Sequence, residues 1–212
     1  MAGVDVEAGG GGAGLTGTFT REDPRRRLRV AHAGSTPACE FRQGGVRPVV
    51  FRPTRVTRMQ QKVGRWLIEY DREATRRCFA RLPAGAPCDC VECRNFNAAA
   101  GRIFPPEFLA LADELGVDVT KPAELCHCVR EDSGLYLVGG WFHFVGSLIS
   151  GEDLIRWNGR SGTYRFEQLV PGCEFGFRAD AVLVPAVFNG RRVVQLEFVT
   201  RVPWSLSDPE PY

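Results

Sequence analysis

From residue 64 onward, apolar and polar positions recur with periods that predict short, definite elements. Trp66, Ile68 and Tyr70 alternate with Leu67 and Glu69, the period-2 pattern of a strand over 64–70. Asp71 then stands where it can cap a short helix over 73–79. The Ala-rich stretch 95–100 continues a helical pattern out of a cysteine-bearing turn until Gly101. A further helix opens at the proline pair 105–106, where a missing N–H costs nothing. Its residues Phe108, Leu111, Ala112 and Leu115 fall on one face, and Gly116 supplies the stop.

Strand patterns dominate after Gly134. Residues 135–138 and 141–148 are apolar and aromatic, with Gly139-Gly140 between them as a bulge or turn. Over 163–169, Tyr164, Phe166 and Gln168 alternate with Arg165, Glu167 and Leu169. Residues 181–188 and 192–202 flank Asn189-Gly190, which predicts a hairpin because both central positions of its tight turn need φ > 0. On the last strand Val194, Leu196 and Phe198 share a face, with Gln195, Glu197 and Val199 opposite. The expected architecture is α+β, with a helical, cysteine-bearing half packed on a mostly antiparallel sheet. One domain is expected over 59–204, and 205–212 reads as a loose C-terminal tail.

Residues 1–58 carry no such periodicity. They open with GGGG and continue through scattered Pro, Gly and Arg, and their one apolar run, 46–51, is interrupted by Pro48. A segment of this kind buries too little apolar area to offset the entropy of ordering, so a disordered tail is expected. It holds 10 Arg and no Lys against 5 Asp and Glu, a charge of +5, whereas 59–212 hold 17 basic and 20 acidic residues, a charge of −3. Arg outnumbers Lys 25 to 2 in the whole chain, as GC-rich coding sequence produces. A plain solvated tail and a start assigned upstream of Met59 are preferred over a basic arm for nucleic acid. The mildly acidic remainder argues against a broad electrostatic footprint for nucleic acid. No stretch has the apolar length of a membrane span.

The first residues show no basic region followed by an apolar one, so no export signal is expected. The eight cysteines are then expected to be thiols in a reducing, cytoplasmic setting, where clustering points to metal or redox chemistry. Cys88, Cys90 and Cys93 lie within six residues. Cys90 and Cys93 have the spacing at which two thiolates grip one tetrahedral zinc ion from a tight turn, and Cys88 can add a third ligand. The fourth must come from elsewhere: His143, Cys126, His127 and Cys128 are the candidates, with His143 placed first. Unmetallated thiols and a low-pKa redox pair at Cys90 and Cys93 are the competing accounts. The isolated Cys39, Cys78 and Cys173 read as small buried hydrophobes.

Four blocks taken together, CDCVECRNF at 88–96, FPPEFLALADELGVD at 104–118, GGWFHFVG at 139–146 and VVQLEFVTRVPW at 193–204, resemble a bacterial family of small proteins of uncharacterised function. The resemblance spans about residues 64–204, leaves 1–58 outside, and points to Cys88, Cys90, Cys93, Asn95, Trp141 and His143. It implies no activity. The functional expectation is therefore a small intracellular binding domain stabilised by one zinc ion, its partner unknown. The alternative is an enzyme using a Cys/His pair or zinc-activated water, with Glu92 or Asp89 as acid–base partner. A pocket holding both the thiols and His143 would favour the enzyme.

Overall fold

The computed structural model describes residues 5–6, 17–20, 58–159 and 161–211; for 5–6, 17–20, 128, 169 and 170 the description is of the backbone. The elements are β1 (Asp5–Val6), β2 (Gly17–Thr20), β3 (Met59–Val63), β4 (Trp66–Tyr70), α1 (Arg72–Phe79), α2 (Val91–Ala99), α3 (Pro106–Leu115), β5 (Glu124–Arg130), β6 (Tyr136–Ser150), β7 (Ile155–Asn158), β8 (Ser161–Tyr164), β9 (Glu167–Val170), β10 (Cys173–Arg178) and β11 (Val193–Val202). The fold is α+β. A seven-stranded sheet runs β3-β4-β6-β11-β10-β9, with β5 also paired to β6, and every pairing among the described residues is antiparallel. A four-stranded sheet runs β1-β2-β8-β7. The expectation of a tail over 1–58 falls mostly on residues outside those described.

Three local signals act as the sequence predicts. The Asp71 carboxylate accepts the Ala74 N–H and starts α1. Pro105 and Pro106 open α3, and Gly116, at φ 77°, closes it in the left-handed conformation. The apolar face of α3 buries Phe108, Ala112 and Leu115. The core lies between the helices and one face of the sheet. Phe142 of β6 and Phe198 of β11 stack at 5.1 Å, and Phe104 meets Phe198 edge-on at 5.1 Å and stacks on Phe108 at 4.8 Å. Each fully buried phenyl contributes about 1.5–3 kcal/mol, so this cluster is a main source of stability.

β6 organises the sheet. Its first half pairs with β5, from Arg130↔Tyr136 to Glu124↔Trp141, and its last residues pair with β4, from Tyr70↔Gly146 to Leu67↔Ser150. Between them, α1 takes over the edge. The Asp71 N–H donates to the Val145 carbonyl at 2.9 Å, and the Val145 N–H donates to Thr75 Oγ1 at 3.0 Å. A helix start thereby satisfies groups that a strand would otherwise hold.

Four expectations change. Gly139-Gly140 does not interrupt a strand, because β6 runs through it. A Cβ at Gly140 would sit 2.7 Å from the Glu124 carbonyl oxygen and 2.8 Å from the Phe198 ring, so glycine there serves close packing. The alternation over 163–169 is split between β8 and β9, which belong to different sheets. Residues 181–188 do not form a hairpin with β11, because β6 and β10 already occupy both of its edges. They form a loop and a 3₁₀ turn over Ala186–Phe188. Asn189 at φ −52°, ψ 138° and Gly190 at φ 74° make a type II turn, closed by the Arg191 N–H on the Phe188 carbonyl at 3.1 Å. Lastly, 205–211 are tied to the fold. Trp204 Nε1 donates to the Asp208 carbonyl, Arg94 pairs with Asp208, and Glu210 takes Arg130 and the Tyr136 hydroxyl.

Candidate metal centre

Cys88, Cys90 and Cys93 converge at the N-terminus of α2. Cys90 is the N-cap, and its Sγ accepts the Cys93 N–H at 3.4 Å. Cys88 Sγ lies 3.2 Å from the sulfurs of both Cys90 and Cys93. The three sulfurs all lie within 4.8 Å of one another. None is in a disulfide, and 3.2 Å is far beyond the ~2.05 Å of an S–S bond. Cys88 and Cys90 are exposed and Cys93 is buried, so the cluster faces outward on a buried base.

α2 holds that base still. The Asn95 side chain donates to the Pro203 carbonyl at 3.0 Å and accepts the Ser205 N–H at 2.7 Å, pinning the helix to the chain just beyond β11. Phe96 stacks on Phe198 at 6.3 Å. Asn95 belongs to the block that suggested the resemblance, and its role here is positional.

Local electrostatics separate the thiols. The backbone N–H of Cys90, with the neighbouring thiols, lowers the Cys88 thiol pKa. Burial raises that of Cys90 and raises that of Cys93 well above the ordinary range. Three thiolates in mutual contact repel strongly, and a divalent cation is the group that lets all three ionise together.

Of the proposed fourth ligands, His143 is not brought to the cluster. On β6 it stands opposite Gln195 of β11, and its ring sits beside Phe188 at 6.0 Å. Its Nε2 donates to the Val182 carbonyl at 3.0 Å. The period-2 pleat sends His143 to the sheet face opposite Phe142 and Phe144, which bury in the core. Cys126 is exposed and, opposite Gly139, shares the face of Trp141 and His143. The side chain of Cys128 lies outside the described residues. His127, opposite Val138, is on the helix-bearing face. Its Nε2 is buried with no hydrogen-bond partner among the described residues, and its charged form is favoured by Glu92 of α2, although burial depresses its pKa overall. Glu92 in turn hydrogen-bonds Cys90. The isolated Cys78 and Cys173 are buried, as expected of small hydrophobes; Cys39 lies outside the described residues.

The sequence did not single out a second polar cluster, on the opposite sheet face. Gln195 and Glu197 of β11 and Arg178 of β10 are buried beside His143. Arg178 Nη1 meets Glu197 Oε1 at 3.2 Å, Gln195 Nε2 donates to the same oxygen at 2.8 Å, and Gln195 Oε1 accepts the Val182 N–H at 2.9 Å. Burial raises the Glu197 pKa despite Arg178, and burial pushes that of His143 down to about 4. Trp141 Nε1, His143 Nδ1 and Arg178 Nε are buried there with no hydrogen-bond partner among the described residues. The polar alternation of Gln195 and Glu197 was the available signal, but it is equally the signature of a solvated face.

Compared with protein-family models, curated proteins and solved structures, the chain matches none.

Proposed function

We propose that this chain is a small binding domain closed by one structural zinc ion on Cys88, Cys90, Cys93 and His127. The convergence of three sulfurs within 4.8 Å at a helix N-terminus carries the reading. Three cysteines and one histidine form a common tetrahedral zinc set, and a closed set belongs to structural rather than catalytic zinc. His127 is assigned the fourth place on two grounds, its buried Nε2 without a hydrogen-bond partner among the described residues and the pull of Glu92 in the first turn of α2; its ring stands outside the 4.8 Å group of the three sulfurs, so closing the site requires it to move toward them. Zinc there would join α2 to β5, two elements far apart in sequence, and so contribute to folding.

The enzyme reading that pairs a cysteine thiolate with His143 has less support, because His143 and the thiols occupy opposite faces of the sheet. The test is elemental mass spectrometry of the full chain purified under reducing conditions. About one zinc per chain, lost in Cys93→Ser and weakened at least tenfold in His127→Ala, is expected. A folded, metal-free wild type would overturn the reading. Undiminished zinc affinity in His127→Ala would leave three ligands and an open position, the arrangement that activates water.

A further inference from the structure

A second site lies at the other end of β11 and does not depend on zinc. The cluster of thiols is anchored beyond Val202, through Asn95, whereas this site begins with Arg191 and Arg192, just before Val193. A cavity of about 480 Å³ opens there between α1, the junction of β4 with β6, and the type II turn at Asn189-Gly190. Arg58, Arg77, Arg191 and Arg192 line it, together with Glu69 and Asp71.

The charges do not cancel. Arg58 is held by Glu69 at 3.1 Å. Asp71 is committed to the α1 cap through the Ala74 N–H. Of the six described arginines that make no ion pair among the described residues, Arg77, Arg191 and Arg192 meet at this cavity, while Arg81, Arg102 and Arg156 do not line it; Arg65, Arg72, Arg76, Arg94, Arg130, Arg165, Arg178 and Arg201 all hold a carboxylate. Three guanidinium groups against the Asp71 carboxylate leave a surplus of about two positive charges, on the order of the −1.5 to −2 carried by a phosphate monoester near pH 7. A separate sign of convergence is Cys78 of α1, whose thiol feels Arg191, Arg81 and Arg77 together, each opposing the upward effect of burial.

Guanidinium forks match phosphate oxygens two at a time, so arginine suits this ligand better than lysine does. The cavity is also larger than a bare phosphate needs and falls within the range of small-molecule sites. The half-buried Val145 gives it a less polar side against which an organic group can rest, with Tyr70 and Ala74 buried behind it. We propose that this cavity binds a small phosphomonoester, its phosphate held by Arg77, Arg191 and Arg192 and its organic part against Val145.

The experiment is isothermal titration of the full chain with inorganic phosphate and with ribose 5-phosphate, at ionic strength held constant with sodium chloride. Ribose 5-phosphate is expected to bind at least as tightly as phosphate. Arg77→Gln, Arg191→Gln and Arg192→Gln are each expected to weaken it about tenfold or more, since charge-assisted hydrogen bonds are lost. All three side chains are exposed, so the variants are expected to melt with the wild type; Arg156→Gln, exposed elsewhere and also without an ion pair among the described residues, is expected to bind as the wild type does. Heats no different from those of chloride would overturn the proposal. So would an equal loss in Arg156→Gln, which would mean a diffuse charge effect, or retention of binding in all three cavity variants. Binding of single-stranded RNA through the same arginines, with no response to either small phosphate, would overturn it in favour of a nucleic-acid surface.

Discussion

Acid should destabilise this protein through His143, and the size of the effect follows from where the ring sits. His143 is 1% exposed, donates Nε2–H to the Val182 carbonyl, and has its ring against Phe188. Desolvation brings its pKa from an ordinary 6.5 to about 4. The fold therefore favours the neutral ring, while the unfolded chain takes up a proton first as pH falls. Stability contributed by this residue is full above pH 6.5 and is lost progressively between 6.5 and about 4. At 1.36 kcal/mol per pH unit the loss is about 3 kcal/mol. Glu197, buried nearby with a raised pKa, acts in the opposite direction, because its protonation is easier in the folded state. A comparison of two proteins removes that contribution. His143→Gln keeps an amide N–H for the Val182 carbonyl and cannot titrate. Urea unfolding at pH 7.5, 6.5, 5.5 and 4.5 should show the wild type losing about 2.5 kcal/mol more than the variant across that range, the remainder being lost below the folded pKa. Metal release in acid would affect both alike. Parallel stability profiles would refute the argument and mean that the ring is hydrated or charged in the folded state.

Three further outcomes follow from the same geometry. Arg178→Ala should cost about 3–5 kcal/mol in chemical denaturation, because it leaves Glu197 buried without its cation, whereas Arg178→Met with Glu197→Leu should recover most of that loss. Thr75→Val should cost about 1–3 kcal/mol and speed hydrogen exchange at the Val145 amide, which would lose the Thr75 hydroxyl as its acceptor at the gap between β5 and β4. A strong chelator under reducing conditions should lower the melting temperature of the wild type and leave Cys93→Ser unchanged.

Much of this protein was determined by its sequence alone. Short-range physics decided the strand at Trp66–Tyr70, the Asp71 cap, the proline start and glycine stop of α3, and the α+β class, because each depends on periodicity or on a side chain meeting its own backbone. The meeting of Cys88, Cys90 and Cys93 was equally local, being one loop and the first turn of one helix. The tertiary structure decided what depends on partners distant in the chain. Residues 181–188 have strand-like composition, yet β6 and β10 had already filled both edges of β11. Gly139-Gly140 resembles a break, yet β6 passes through it because Phe198 and β5 press against its backbone. The sequence placed His143 ahead of His127 as the fourth ligand; the pleat of β6 sends His143 away from the thiols, while the register of β5 leaves His127 on the helix side, its Nε2 without a partner among the described residues. Gln195 and Glu197 alternate like solvent-facing residues but are buried, because whether a sheet face meets water depends on what packs against it.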